Sequence, residues 1–244
     1  MKSYSKGPFY FISDIHLGLS DPQTERNKES VLVSFLDSIK NAEVLFIAGD
    51  LYDYWFEYRR VYQKGFFRLL NSLYNLRARG TEIVYVIGNH DFMHRDFFSS
   101  EIGAVMIEDD FTAELNGKRF YISHGDGLLK GDYGYKMLKM VLRNKKIQWL
   151  YSLIHPDLGI SLAGHSSKTS RQHTSSRTGL ETDGLKDKAS EILSTGFDYV
   201  LFGHTHRRVM QNIGGGWYVN LGTWLEKPCY GKFENDIFTI NDLS

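Results

Sequence analysis

The chain has one cysteine in 244 residues, no net charge, and no long apolar run. Each lack excludes something. A lone Cys229 rules out an internal disulfide and a thiolate zinc cluster, and it points to a reducing compartment. Lysine plus arginine and aspartate plus glutamate both number 29, which disfavours a strongly basic nucleic-acid binder while allowing a local patch. The apolar stretch after Pro8 is only "FYFI", too short for a signal-peptide core. Nothing later approaches the roughly 18 apolar residues of a membrane span. Neither an internal repeat nor a low-complexity linker is visible. A cytoplasmic location is therefore expected.

What is present suits one large α/β domain spanning residues 1–244: hydrophobic residues make up 42% of the chain and charged residues 24%. Several short runs rich in β-branched and aromatic residues each end in polar side chains. "FYFISDIH" ends at Asp14 and His16, "VLFIAGD" at Asp50, and "IVYVIGNHD" at Asn89, His90 and Asp91. Further on, "RFYISHGD" ends at His124, "DYVLFGHTH" at His204 and His206, and "WYVNLGTW" at Gly222. Continuous apolar runs of this kind are what strands buried on both faces look like. Helical patterns fall between them, around 28–40 and 60–79, the second closed by Gly80. Such alternation argues for parallel sheet, in which ligands bind at the carboxyl ends of strands.

Spacing adds a second clue. The steps from His16 to Asp50, Asn89 and His124 are 34, 39 and 35 residues, each enough for a strand, a crossover helix and a return. The next step, to His204, is 80 residues, so an insertion is expected over about 130–185. Tyr135, Leu138, Leu142, Trp149, Leu150 and Leu153 form an approximately helical apolar stripe there. Between Lys130 and Lys188 there are 11 Lys/Arg against 5 Asp/Glu. The insertion thus reads as an apolar and basic helical cap over the strand ends, although ordinary core packing explains its stripe equally well.

Asp14, His16, Asp50, Asn89, His124, His204 and His206 together form a mixed nitrogen and oxygen set suited to manganese, iron or zinc. Seven ligands exceed the demand of one metal with an open position. Two cations roughly 3.5–4 Å apart, sharing a carboxylate, use all seven and stabilise the attacking and leaving oxygens of an in-line displacement at phosphorus. In an extended segment residues i and i+2 share a face, so His204 and His206 are expected to reach neighbouring ions.

In this order, "SDIH", "GDLYD", "GNHD", "SHGD" and "GHTH" resemble the five motifs of the calcineurin-like metallophosphoesterases. The resemblance implies a four-layer αββα sandwich with two divalent ions, manganese being the first expectation. It implies Asp14, His16 and His206 on one ion, Asn89, His124 and His204 on the other, and Asp50 bridging. It further implies His90 as the catalytic histidine beside the phosphoryl group, held by Asp91, with Asn89 also touching substrate. Within the family the chain is similar to UDP-2,3-diacylglucosamine diphosphatases of the lipid A pathway, through "GDLYDYW", "SHGDGL" and the insertion. That likeness implies cleavage of a pyrophosphate to UMP and a diacylated sugar 1-phosphate. It also implies Tyr135, Lys168 and Arg171 on the substrate and a cap edge resting on the cytoplasmic face of the inner membrane. Many of those enzymes carry arginine where this chain has His90. A phosphate leaving group is weakly basic and needs little proton donation, so either residue serves.

Other residues stay open. Asp53 suits a supporting contact, a substrate contact or a helix cap; Lys168 and Arg171 suit a solvated face as well as substrate. His155, His165 and His173 read as surface residues, Cys229 as structural, and Trp55 as core. Two alternatives remain: the same chemistry on another phosphodiester or nucleotide, and a non-catalytic scaffold. Intact ligands together with His90 argue against the scaffold.

Overall fold

The computed structural model describes residues 1–128, 133–159 and 184–243. Two six-stranded sheets form its centre. The first carries three parallel strands, β2 (Phe9–Ile12), β3 (Val44–Ala48) and β4 (Glu82–Val86), with β5 (Val105–Ile107) parallel beyond β4. On its other side it is extended by an antiparallel hairpin, β11 (Cys229–Glu234) and β12 (Ile237–Asp242). The second sheet runs β1 (Lys2–Tyr4), β6 (Asp110–Leu115), β7 (Lys118–Ser123), β8 (Tyr199–Phe202), β10 (Gly216–Asn220), β9 (Val209–Ile213). Strands β7, β8 and β10 are parallel to one another, while β6 and β9 join them antiparallel. The strands expected to be parallel thus divide three and three between two mixed sheets.

Two-sided burial explains why these runs are continuously apolar. In β3 every residue is fully buried, but alternate residues serve different cores. Leu45 and Ile47 pack with Leu32 and Phe35 of α1 (Pro22–Ser38) and Leu69 and Leu73 of α2 (Phe67–Ala78). Val44, Phe46 and Ala48 face the second sheet and meet Phe11, Phe120 and Leu201. Beyond α3 (Tyr133–Leu142) and α4 (Lys145–Tyr151), α5 (Gly184–Leu193) covers the second sheet's outer face with Leu185, Ala189, Ile192 and Leu193. The order helix, sheet, sheet, helix is the αββα sandwich. No helix among the described residues is long and apolar enough to cross a membrane.

Helix limits differ from the periodicity for local reasons. Helix α1 starts well before residue 28, because Asp21 accepts from Gln23 N and Thr24 N and Pro22 takes the first turn. Helix α2 starts only at Phe67: Gly65 (φ 114°) and Phe66 (φ 55°) break the backbone. Residues 56–62 form bridges to Met93 and between Glu57 and Tyr62 instead. Of the insertion expected over about 130–185, only 133–159 and the start of α5 lie within the described residues.

Candidate metal centre

The carboxyl ends of β2, β3, β4, β7 and β8 open on one rim, and the loops leaving them bring all seven proposed ligands together. Five of the seven sit in the left-handed backbone region: Asp14 (φ 51°), His16 (φ 51°), Asp50 (φ 53°), His204 (φ 68°) and His206 (φ 58°). Strain of this kind, about 1–3 kcal/mol per residue, collects where surrounding structure imposes a geometry. The same turns replace the extended alternation expected for the histidine pair. Strand β8 ends at Phe202, and His204 and His206 reach the centre by left-handed turns rather than by extended alternation. Close packing demands glycine beside them. A Cβ on Gly88 would collide with the Asp50 carboxylate, and one on Gly203 with that of Asp14.

The polar atoms fall into two groups with Asp50 between. In one, His16 Nε2 and His206 Nε2 lie 3.0 Å apart, with Asp14 Oδ1 3.5 Å from His206. In the other, Asn89 Oδ1 lies 2.9 Å from His124 Nε2 and 2.8 Å from His204 Nδ1. Asp50 Oδ2 is 3.8 Å from His16 Nε2 and 3.2 Å from His124 Nε2, so a single carboxylate oxygen faces both groups. Ligand atoms of Asp14, His16 and His206 lie within 4.8 Å of one another, as do those of Asp14, Asp50 and His124. Asp14 Oδ2 is buried without a hydrogen-bond partner. A buried carboxylate oxygen left unpartnered beside converging imidazole nitrogens fits a divalent cation by number, charge and ligand type.

Surrounding groups set the ligands' states. His124 Nδ1 lies 2.9 Å from the Ala48 carbonyl, which fixes the proton there and turns Nε2 to the centre. Burial, aided by neighbouring imidazoles, lowers His204 to about 4 and His206 to about 3, leaving both neutral as metal binding requires. Burial pushes Asp14 up to about 6. Burial opposes charge on His124 too, but the Asp50 and Asp14 carboxylates override it and raise the imidazole to about 10. A proton and a divalent ion therefore compete for the same negative pocket.

His90 stands at the edge of this cluster, its ring 4.9 Å from that of His16 and its backbone N–H donating to Asp50 Oδ1 at 2.8 Å. Its imidazole is oriented differently from the expectation. Nδ1 lies 3.2 Å from the Asp53 carbonyl and 3.5 Å from Asp53 Oδ1. Asp91 is spent elsewhere: its carboxylate accepts from Leu51 N, Tyr52 N, Gly88 N and the Tyr85 hydroxyl, clamping the loops after β3 and β4 together. Asp53 also faces His16 Nδ1 at 3.6 Å, so one carboxylate orients two histidines. The sequence left Asp53 open; the second aspartate of "GDLYD" was its signal. Asn220, which donates to the Gly203 carbonyl at 2.8 Å, had no signal beyond ending a strand.

Of the remaining residues, Tyr135 lies on α3 with its side chain outside the described atoms, and Lys168, Arg171, His165 and His173 lie outside the described residues. His155 is exposed near Asp157. Trp55 is fully buried and donates to Glu57. Cys229 is buried against the Leu221 carbonyl, and burial raises its thiol above the usual range, which suits a structural residue.

Known proteins resemble the chain over most of its length. The chain matches the calcineurin-like phosphoesterase family profile over residues 7–208. It is 30% identical over 260 aligned positions, with 98% of each chain covered, to UDP-2,3-diacylglucosamine hydrolase of Porphyromonas gingivalis. The protein of that name from Neisseria meningitidis serogroup B is 26% identical, with 89% of this chain and 90% of that one aligned. Among solved structures, an archaeal phosphodiesterase superposes with TM-score 0.51 at 14% identity, covering 97% of this chain and 100% of that one, a likeness of fold alone. With the profile reaching across both sheets and from Asp14 to His206, the chain belongs to the calcineurin-like phosphoesterases, a family of metal-dependent phosphoester hydrolases.

Proposed function

We propose that the chain hydrolyses the pyrophosphate of UDP-2,3-diacylglucosamine, releasing UMP and 2,3-diacylglucosamine 1-phosphate, and that manganese is the preferred ion. Asp14, His16 and His206 hold one ion, Asn89, His124 and His204 the other, and Asp50 both. The ions supply activation of the attacking water and neutralise charge at phosphorus. The protein's own groups do the rest. Asp53 anchors His90 through Nδ1, which assigns Nε2 to the phosphoryl oxygens, with Asn89 beside it. There His90 stabilises the departing phosphate more than it protonates it, because that leaving group is a weak base.

The observation that carries the substrate is the surface next to the rim. Helices α3 and α4 and the turn after α4 leave Met137, Met140, Trp149, Leu150 and Leu153 between 57% and 74% exposed. A small water-soluble nucleotide gives such a surface no task, whereas acyl chains and a lipid headgroup region do. We place this pair in a cap over about 130–185, with Tyr135, Lys168 and Arg171 on the substrate and the edge resting peripherally on the cytoplasmic face of the inner membrane. The relatives' names point to the same substrate.

The test offers protein loaded with manganese the diacyl substrate, UDP-sugars lacking acyl chains, and a generic chromogenic diester. Selective release of UMP from the diacyl compound supports the reading. Preference for unacylated compounds transfers the activity to another phosphodiester or nucleotide, and no turnover of any of them leaves a scaffold.

A further inference from the structure

We infer that Arg143 is a positioning residue for one half of the metal centre, the half formed by Asn89, His124 and His204; the inference rests on the dinuclear reading above. Each half joins ligands from both sheets, and main-chain ladders tie only the ligands that leave the same sheet, as the Gly203 N–H to His124 carbonyl bond does for His124 and His204. Around Asp14, His16 and Asp50 the tie is main chain: Asp14 N, Ile15 N and His16 N donate to the carbonyls of Gly49 and Asp50 at 2.9–3.1 Å. These residues leave neighbouring parallel strands of one sheet, so the ladder that pairs β2 with β3 continues into the site. Asn89 and His124 have no such shared ladder. Asn89 follows β4 in the first sheet, and His124 follows β7 in the second. Their 2.9 Å approach depends on the separation of two packed layers.

Arg143, just beyond the end of α3, sits where the segments that set this separation meet. Its Nη1 donates to the Glu108 carbonyl at 2.6 Å and lies 3.2 Å from Asp109 Oδ1, in the turn between β5 and β6 that passes from one sheet to the other. Its Nη2 donates to the carbonyl of Gly88, the residue before Asn89, at 3.5 Å. The same nitrogen lies 3.7 Å from Asp126 Oδ2, two residues past His124. Lys139, one turn earlier, fixes that aspartate from a second direction, at 2.8 Å to its carboxylate and 3.1 Å to its carbonyl. One planar, forked cation thus spans the Asn89 loop, the sheet-crossing turn and the His124 loop. A point charge on a flexible stem cannot reproduce that geometry. The segment supplying it belongs to the α3–α4 pair, so the helices beside the rim also brace the ligands.

The experiment is calorimetric titration of chelator-stripped protein with manganese alone. Wild-type chain takes up two ions. Arg143→Met weakens one of them by on the order of tenfold, the scale of losing an outer partner of a metal ligand, and leaves the other within about twofold. Combined with Asn89→Ala, the loss is less than additive, because both act on the same ion. Arg77→Met removes an arginine that donates to the Gly103 carbonyl far from the rim, and it changes neither affinity. Should the methionine variant not fold, Arg143→Lys gives the same readout, a loss at one ion with charge retained. Unchanged affinities, or equal weakening of both, overturn the inference while leaving the metal centre intact. Failure of the wild-type chain to bind two ions overturns the dinuclear reading and the inference with it.

Discussion

Helices α3 and α5 are each ten residues long, yet they are turned in opposite senses. Helix α5 directs Leu185, Ala189, Ile192 and Leu193 onto Val200, Phe202 and Tyr218, and leaves Lys188 paired with Glu191 outside. This is the ordinary surface helix of a water-soluble domain. Helix α3 directs Lys139, with Arg143 just beyond it, onto Asp126 and backbone carbonyls, and leaves Met137, Met140 and Val141 outside. Among the described side chains, Lys139 and Arg143 turn in while three hydrocarbon side chains stand outside beside the exposed Lys136. A helix moored by hydrogen bonds and ion pairs can keep its apolar side for something other than its own core, and its position beside the metal rim says where that something sits.

Four variants break or sharpen this contrast, beginning with the one that sets its floor. Asp50→Asn should lower kcat on every substrate by on the order of 10³-fold, since it removes the carboxylate facing both ligand groups. Steady-state kinetics with metal analysis would show it, and substantial residual turnover would detach the helices from any active centre. Leu185→Ala, on the inward face of α5, should cost about 2–5 kcal/mol in urea denaturation, with KM of the folded protein unchanged. Replacing Met137, Met140 and Val141 together by serine should change stability by less than about 1 kcal/mol. The same variant should raise KM for the diacyl substrate roughly tenfold, the loss of one or two methylene contacts, without affecting a generic diester. A stability loss like that of Leu185→Ala would mean that the outer side of α3 is core, and the contrast would vanish. Smallest is Lys188→Met, which breaks the 2.8 Å surface pair with Glu191 and should cost no more than about 0.5 kcal/mol.

Much of this arrangement could be read from the residues, and the exceptions have physical causes. Strands buried on both sides are uninterrupted apolar runs, so β2, β3, β4, β7 and β8 announced themselves, and the polar residues ending them lie at one rim. The spacing predicts too long an α2 because "VYQKGFF" keeps a helical period across Gly65 and Phe66, whose left-handed backbone periodicity cannot register. The family resemblance implies Asp91 as the partner of His90, whereas the loop after β3 folds back to bring Asp53 alongside. The basic excess in the insertion was visible, but that Lys139 and Arg143 point inward depends on acceptors supplied by residues 88, 108 and 126, which only the folded chain brings together.

The left-handed turns at Asp14, His16, Asp50, His204 and His206 also restrict which residues can replace them. Side chains tolerated in that conformation, apart from glycine, are mainly asparagine, aspartate and histidine, all of which can also coordinate a cation. Mutational drift at these positions is thereby steered toward alternative chelators, since a valine or leucine would be rejected by the main chain before catalysis was ever tested. The loops filter the mutations, and among those they let pass, the identity of the bound ion can shift while the architecture of the rim persists.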